Sequence, residues 1–242
     1  MAARLTAIIF DCDGVLVDSE MLSASVLMGM MAEIGLPITD EIFRSDFLGR
    51  SFANAAARAG RRFGTDLPED FQLKYRERLL DRMTRELRPM AGVHDMLERV
   101  TAPYWLATSS SPQRLELSLR VSGLARYFDG RCSTASEVAN GKPAPDLLLH
   151  AARRAGLDPQ ATIIVEDSEM GIRAGHAAGM EVWHFAGGAH VKAGYSLPAD
   201  VKPDRVINDM HELAAAFGEL GLGRGSPSPL GSPPEEHRGS QD

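Results

Sequence analysis

Along most of the chain, short apolar runs alternate with longer stretches in which apolar residues return every three or four positions. The short runs lie at residues 5–10, 104–107, 162–165, 181–185 and 205–207, with a weaker one at 130–133. They read as strands and the stretches between them as amphipathic helices, the pattern of a parallel sheet covered by helices on both faces. Residues 19–88 break this alternation. Helical periodicity appears there at 23–34, 52–63 and 68–87, with no strand between, so the segment reads as a separate helical domain inserted into the first. The layout predicted is a first core segment at 1–18, a helical insertion at 19–88, a second core segment at 89–220 and a tail at 221–242. That tail is rich in Gly, Ser, Pro and charge, a composition that predicts disorder.

Polar clusters follow these runs in a fixed order. Ala7-Ile8-Ile9-Phe10 leads into Asp11-Cys12-Asp13-Gly14, two carboxylates one residue apart at a strand end. Like charges this close call for a cation or a proton. Taken alone, the cluster is equally an acidic turn. The run at 104–107 ends in Thr108-Ser109-Ser110-Ser111-Pro112, the run at 162–165 in Glu166-Asp167-Ser168-Glu169-Met170-Gly171. Between them Asn140-Gly141-Lys142-Pro143-Ala144-Pro145-Asp146 sets a lysine in a rigid turn ahead of a helical run. Ligands of parallel sheets bind beyond the carboxyl ends of the strands, so these distant clusters are predicted to share one site.

Composition narrows the partners. A net charge of −7 and a pI near 5.5 argue against nucleic acid and anionic membrane, which are bound through excess Lys and Arg. Only Cys12 and Cys132 are present, which favours a reducing, cytoplasmic setting over a disulfide framework, and Cys12 reads as a small buried hydrophobe. The short run before Asp11 suits neither a signal peptide nor a membrane span. A monomer is the default for a chain of 242 residues built this way.

In their order, the four clusters resemble the motifs of the haloacid dehalogenase-like hydrolase superfamily, in the branch of beta-phosphoglucomutase and the sugar-phosphate phosphatases. The resemblance covers about residues 4–215. It implies a Rossmann-like core with an inserted α-helical cap, and Mg2+-dependent transfer of a phosphoryl group to water through an aspartyl-phosphate. Asp11 takes the place of the nucleophile and Asp13 that of the general acid and base. Mg2+ is expected on Asp11, Asp167 and the backbone carbonyl of Asp13, with Glu166 either supporting that shell or ligating directly. Thr108 and Ser109 are the candidates for holding the phosphoryl group, Ser111 for capping the helix that Pro112 opens, and Lys142 for offsetting charge in the transition state. Asp146 is expected to orient Lys142 or cap its helix. Arg50, in a segment similar to the family's substrate loop, and Glu20 are the cap-side candidates for substrate contact.

The substrate expected is a small phosphorylated metabolite, a sugar phosphate or sugar-acid phosphate. Haloalkanoate dehalogenases of the superfamily lack the second aspartate, so Asp13 and Asp167 favour phosphoryl transfer. Mutases of the branch carry a cap histidine a few residues beyond the Asp18 position, and this chain has none before His94. Phosphonate hydrolases use a cap lysine, for which only Lys74 is available, in an ordinary charged helix. A silent binding or regulatory module usually lacks the nucleophile, the acid, the lysine or the metal carboxylate, and Asp11, Asp13, Lys142 and Asp167 are all present. No His-x-His or His-Glu-x-x-His arrangement suggests zinc. His190 reads first as a loop histidine, with the site rim as its less favoured place. Met21, Met28, Met30 and Met31 read as cap packing, and Arg61-Arg62 as a solvated face.

Overall fold

A computed structural model describes residues 4–47 and 52–224. Six strands, β1 (Ala7–Phe10), β2 (Tyr104–Thr108), β3 (Cys132–Thr134), β4 (Thr162–Glu166), β5 (Glu181–Phe185) and β6 (Arg205–Ile207), form one sheet in the order β3-β2-β1-β4-β5-β6. Every neighbouring pair is parallel, with Ile9 of β1 opposite Trp105 on one side and Ile164 on the other. Successive side chains of the central strands enter opposite cores. Ile8, Phe10, Ile163 and Val165 join the larger core with α5 (Val93–Arg99), α6 (Pro112–Val121) and α11 (Met210–Glu219). Ile9 and Ile164 join Leu147 and Leu148 of α8 (Asp146–Ala155) and Ile172 of α9 (Glu169–Ala177) in the smaller one. Burial on both faces explains why the strands are continuous apolar runs.

Four helices stand between β1 and α5: α1 (Glu20–Glu33), α2 (Asp40–Asp46), α3 (Phe52–Phe63) and α4 (Phe71–Glu86). They form the helical cap. Val26, Leu27, Met30 and Met31 of α1 are buried, as are Leu79 and Met83 of α4. Met21 departs from the expectation of packing: it is 43% exposed. The two crossings between core and cap run side by side, with Asp18 N–H donating to Arg88 O at 3.1 Å and Met90 N–H to Leu16 O at 2.9 Å. Two short helices complete the described core, α7 (Ala125–Phe128) and α10 (Ala189–Lys192).

Helix α2 has no counterpart in the periodicity. Its seven residues are too few for a repeat, and its start is fixed by Thr39 Oγ1, which accepts from Ile42 N–H at 3.3 Å. Leu22 and Met21 belong to α1, which begins at Glu20 rather than residue 23. The expected tail does not begin at Gly221. Leu222 is buried at 3% exposure, its carbonyl accepts from Thr101 N–H at 2.9 Å, and Arg224 N–H donates to Arg99 O at 2.8 Å. The rest of that stretch, residues 225–242, lies outside the described residues.

Candidate active site

The strand order reverses direction between β1 and β4, and a cavity of about 230 Å3 lies beyond their carboxyl ends, roofed by the cap. Asp11 leaves β1 directly and is 6% exposed, with its N–H donating to Val165 O at 3.0 Å. Lys142 reaches it from the turn before α8. Its Nζ donates to Asp11 Oδ1 at 2.6 Å, to Glu166 Oε1 at 2.7 Å and to Ala107 O at 3.2 Å, and the side chain is 3% exposed. Burial works against the ammonium, yet Asp11 and Glu166 outweigh it and raise Lys142 above its ordinary pKa.

Glu166, the last residue of β4, has both oxygens engaged. Oε2 accepts from Ser168 N–H at 2.8 Å and Ser168 Oγ at 3.0 Å. Burial opposes this carboxylate, but Lys142 and Ser168 hold it below the usual range. At Asp167 Lys142 compensates only in part: burial, with the charges of Glu166, Glu20 and Asp11, outweighs it and raises the group well above the usual range. Burial also pushes Asp11 up to about 8, against Lys142 and with the help of Glu166 and Asp13. Two glycines leave room for this cluster. A Cβ on Gly14, where φ is +75°, falls 1.7 Å from Asp167 Oδ2, and one on Gly171 falls 1.8 Å from Glu166 Oε1.

Oxygens of Asp11, Glu166 and Asp167 lie within 4.8 Å of one another. Three buried carboxylates face one ammonium, so in their ionised form they outnumber it, and a divalent cation would take the place of the protons that burial otherwise favours. All-oxygen donors suit a hard ion such as Mg2+. The residues therefore fit the metal implied by the sequence.

Asp13 lies across the cavity in a separate set of contacts. Its Oδ1 accepts from Ser19 Oγ at 2.5 Å and Arg114 Nη2 at 2.6 Å, and its Oδ2 from Ser110 Oγ at 2.5 Å. Burial raises this group, but Arg114 and the two hydroxyls more than offset it and leave Asp13 below the ordinary value.

Thr108, buried at the end of β2, lines the cavity with exposed Ser109. Ser111 Oγ accepts from Arg114 N–H at 3.4 Å and so caps α6, whose first residue is Pro112. Glu20 lines the cavity from the first position of α1, and burial with the nearby Asp13 pushes it up to about 7. Arg50 lies outside the described residues. Asp146 does not touch Lys142; its Oδ1 accepts from Asn140 Nδ2 at 3.0 Å. Lys74 pairs on the surface with Asp70 at 2.6 Å. Arg62 is paired with Asp46 at 2.7 Å, so it is not a merely solvated residue.

His190 overturns its first reading. It is 4% exposed, lines the cavity, and brings Nε2 to 3.2 Å from Asp167 Oδ2. Ser110 lies within the cluster at 108–112 but has no role assigned to it there, and Arg114 lies two residues beyond it. Pro112 does mark the first turn of a helix at the site edge, and Arg114 lies in that turn.

A parallel sheet in this order, with a helical cap inserted after its first strand and an Asp-Lys-Glu-Asp cluster at its carboxyl edge, defines a capped α/β hydrolase. A family model for haloacid dehalogenase-like hydrolases matches residues 8–185, and the chain belongs to that family. It is 32% identical over 224 residues to the "Phosphorylated carbohydrates phosphatase" of Thermotoga maritima, covering 86% of this chain and all of that one. It is 28% identical over 191 residues to the "6-phosphogluconate phosphatase" of Escherichia coli, covering 78% and 86%. Among solved structures, a HAD family hydrolase from Deinococcus radiodurans with bound phosphate and sodium is similar at TM-score 0.74 and 31% identity, over 93% of this chain and all of that one.

Proposed function

We propose that this protein is a Mg2+-dependent phosphatase of a small phosphorylated metabolite, a sugar phosphate or sugar-acid phosphate, acting through an aspartyl-phosphate. The observation that carries the reading is the contact of Lys142 Nζ with Asp11 at 2.6 Å and Glu166 at 2.7 Å, beside Asp167 and within one cavity with Asp13. The substrates named for the Thermotoga and Escherichia relatives support the choice of class.

Asp11 attacks phosphorus, the bond to the departing alcohol breaks, and Asp13 gives that alcohol its proton. Asp13 then takes a proton from water, which attacks the phosphorus of the aspartyl-phosphate, releasing phosphate and restoring the Asp11 carboxylate. Thr108 and Ser109 hold the phosphoryl oxygens, and Lys142 offsets their charge. Asp11, Asp167 and the Asp13 carbonyl would hold Mg2+, with Glu166 held back by Lys142 and Ser168 in a supporting role. The ion, when bound, removes the repulsion between carboxylate and phosphate. Glu20, on the cap side of the cavity, is assigned to the remainder of the substrate, a role that the resemblance also gives to Arg50, and the cap, residues 19–88, closes over the substrate to exclude water.

Phosphate release from sugar phosphates, sugar-acid phosphates, glycerol phosphate, phosphoglycolate and nucleotides, with Mg2+ or EDTA, tests this reading. Metal-dependent release strongest for sugar or sugar-acid phosphates is expected. No release, with isomerisation of hexose 1-phosphates instead, would identify a mutase.

A further inference from the structure

Arg114 is a partly buried cation that the reaction above leaves unused. It projects from the first turn of α6 into the cavity wall, with its side chain 19% exposed. Among the described residues, the hydrogen bonds of its side chain run from one nitrogen: Nη2 donates to Asp13 Oδ1 at 2.6 Å, Ser23 Oγ at 3.2 Å and Ser19 Oγ at 3.4 Å. Nε is buried and has no hydrogen-bond partner among the described residues. A guanidinium accepts this unsatisfied donor only in exchange for something its other contacts provide. Those contacts join three parts of the chain: core helix α6, the Asp13 loop, and Ser23 of cap helix α1, which is itself buried.

The two oxygens of Asp13 are treated differently. Among the described residues Oδ1 receives two donors, Arg114 and Ser19, whereas Oδ2 receives only the Ser110 hydroxyl. A guanidinium can only donate, so the oxygen it holds has no place for a proton. A serine hydroxyl rotates to donate or accept. Oδ2 is therefore the oxygen from which a proton can pass.

We propose that Arg114 is a positioning residue: it fixes Oδ1 of Asp13 so that Oδ2 faces the departing oxygen, and through Ser23 it makes that aim depend on the seating of α1 in the cap. The inference rests on the assignment of Asp13 as general acid and base. Arg114 acts on proton transfer to the leaving group and not on phosphate binding, so its loss is felt most where the leaving group needs a proton.

Two esters of matched shape separate these effects. Phenyl phosphate expels a phenoxide with a conjugate-acid pKa of about 10, like tyrosine, whereas p-nitrophenyl phosphate expels a far less basic one. For Arg114→Met, kcat on phenyl phosphate is expected to fall about 10- to 100-fold and on p-nitrophenyl phosphate less than about 3-fold, a fraction of the 100- to 10,000-fold that acid–base catalysis supplies. Arg114→Lys, which keeps a charged donor, restores part of the loss on phenyl phosphate, and thermal melting confirms that each variant is folded. In Asp13→Asn, which shows the same leaving-group dependence, adding Arg114→Met has little further effect. Equal losses on both esters in Arg114→Met, or full additivity with Asp13→Asn, would overturn the role of Arg114 while leaving Asp13 in place. Absence of leaving-group dependence in Asp13→Asn would instead remove the assignment on which the inference rests.

Discussion

Lys142 pairs with two buried carboxylates at once, Asp11 and Glu166, and its own side chain is almost wholly buried. Replacing it by Met leaves both acids without their cation. Breaking a buried pair in this way costs about 3–5 kcal/mol, so Lys142→Met is expected to unfold at clearly lower urea concentration as well as to lose activity. Gly171 is a case of space alone, because a Cβ there would stand 1.8 Å from Glu166 Oε1. Gly171→Ala is expected to cost about 1–3 kcal/mol in urea unfolding and to push Glu166 off Lys142. Unchanged stability in that variant would contradict the packing described. At this scale the sequence showed the residues that follow strands directly, since Asp11, Thr108 and Asp167 sit where a strand must end. It did not show those that reach the site across space. Arg114 sits 101 positions from Asp13, and His190 comes from α10, the short helix that follows β5, where spacing says nothing of the partner.

Among the elements, strands were the most legible, because the central ones are buried on both faces and their apolar runs have no polar interruption. Helices α3 and α4 were visible from their amphipathic repeat. Helix α2 was hidden by its length, and the packing of Gly221–Arg224 by a composition that resembles the residues after it. Two local devices can be tested. Ser111 is the N-cap of α6, the helix that carries Arg114. Ser111→Ala is expected to lower stability by about 0.5–2 kcal/mol, read by thermal or urea denaturation. Leu222 is buried with its backbone bound to Thr101 and Ala102. Leu222→Ala is expected to cost about 2–5 kcal/mol, whereas a disordered tail beginning at Gly221 would give no change.

For the molecule as a whole, the cap and the sheet meet over a cluster in which three carboxyl groups stand against one ammonium. Without metal, the fold raises Asp11 from 3.8 to about 8. Between those values the folded chain holds a proton that the unfolded chain has released, so this group makes stability fall as pH rises. Mg2+ binds the ionised form and displaces that proton. The stabilisation given by Mg2+ is therefore expected to grow from about pH 4 to about pH 8 and then level off, reaching roughly 2.7 kcal/mol at a hundred times its dissociation constant. Melting curves with Mg2+ and with EDTA at several pH values would show it; a pH-independent difference would contradict it. No helix among the described residues is long and apolar enough to cross a membrane.

The central claim is that Asp11 attacks phosphorus with Mg2+ beside it. Phosphate release from the best sugar or sugar-acid phosphate should be compared between the native chain and Asp11→Asn, each with Mg2+ and with EDTA. The native protein with Mg2+ is expected to turn over substrate, while EDTA or the substitution lowers the rate at least about 1,000-fold in a variant that still melts cooperatively. Release that survives in Asp11→Asn would contradict the assignment of the nucleophile.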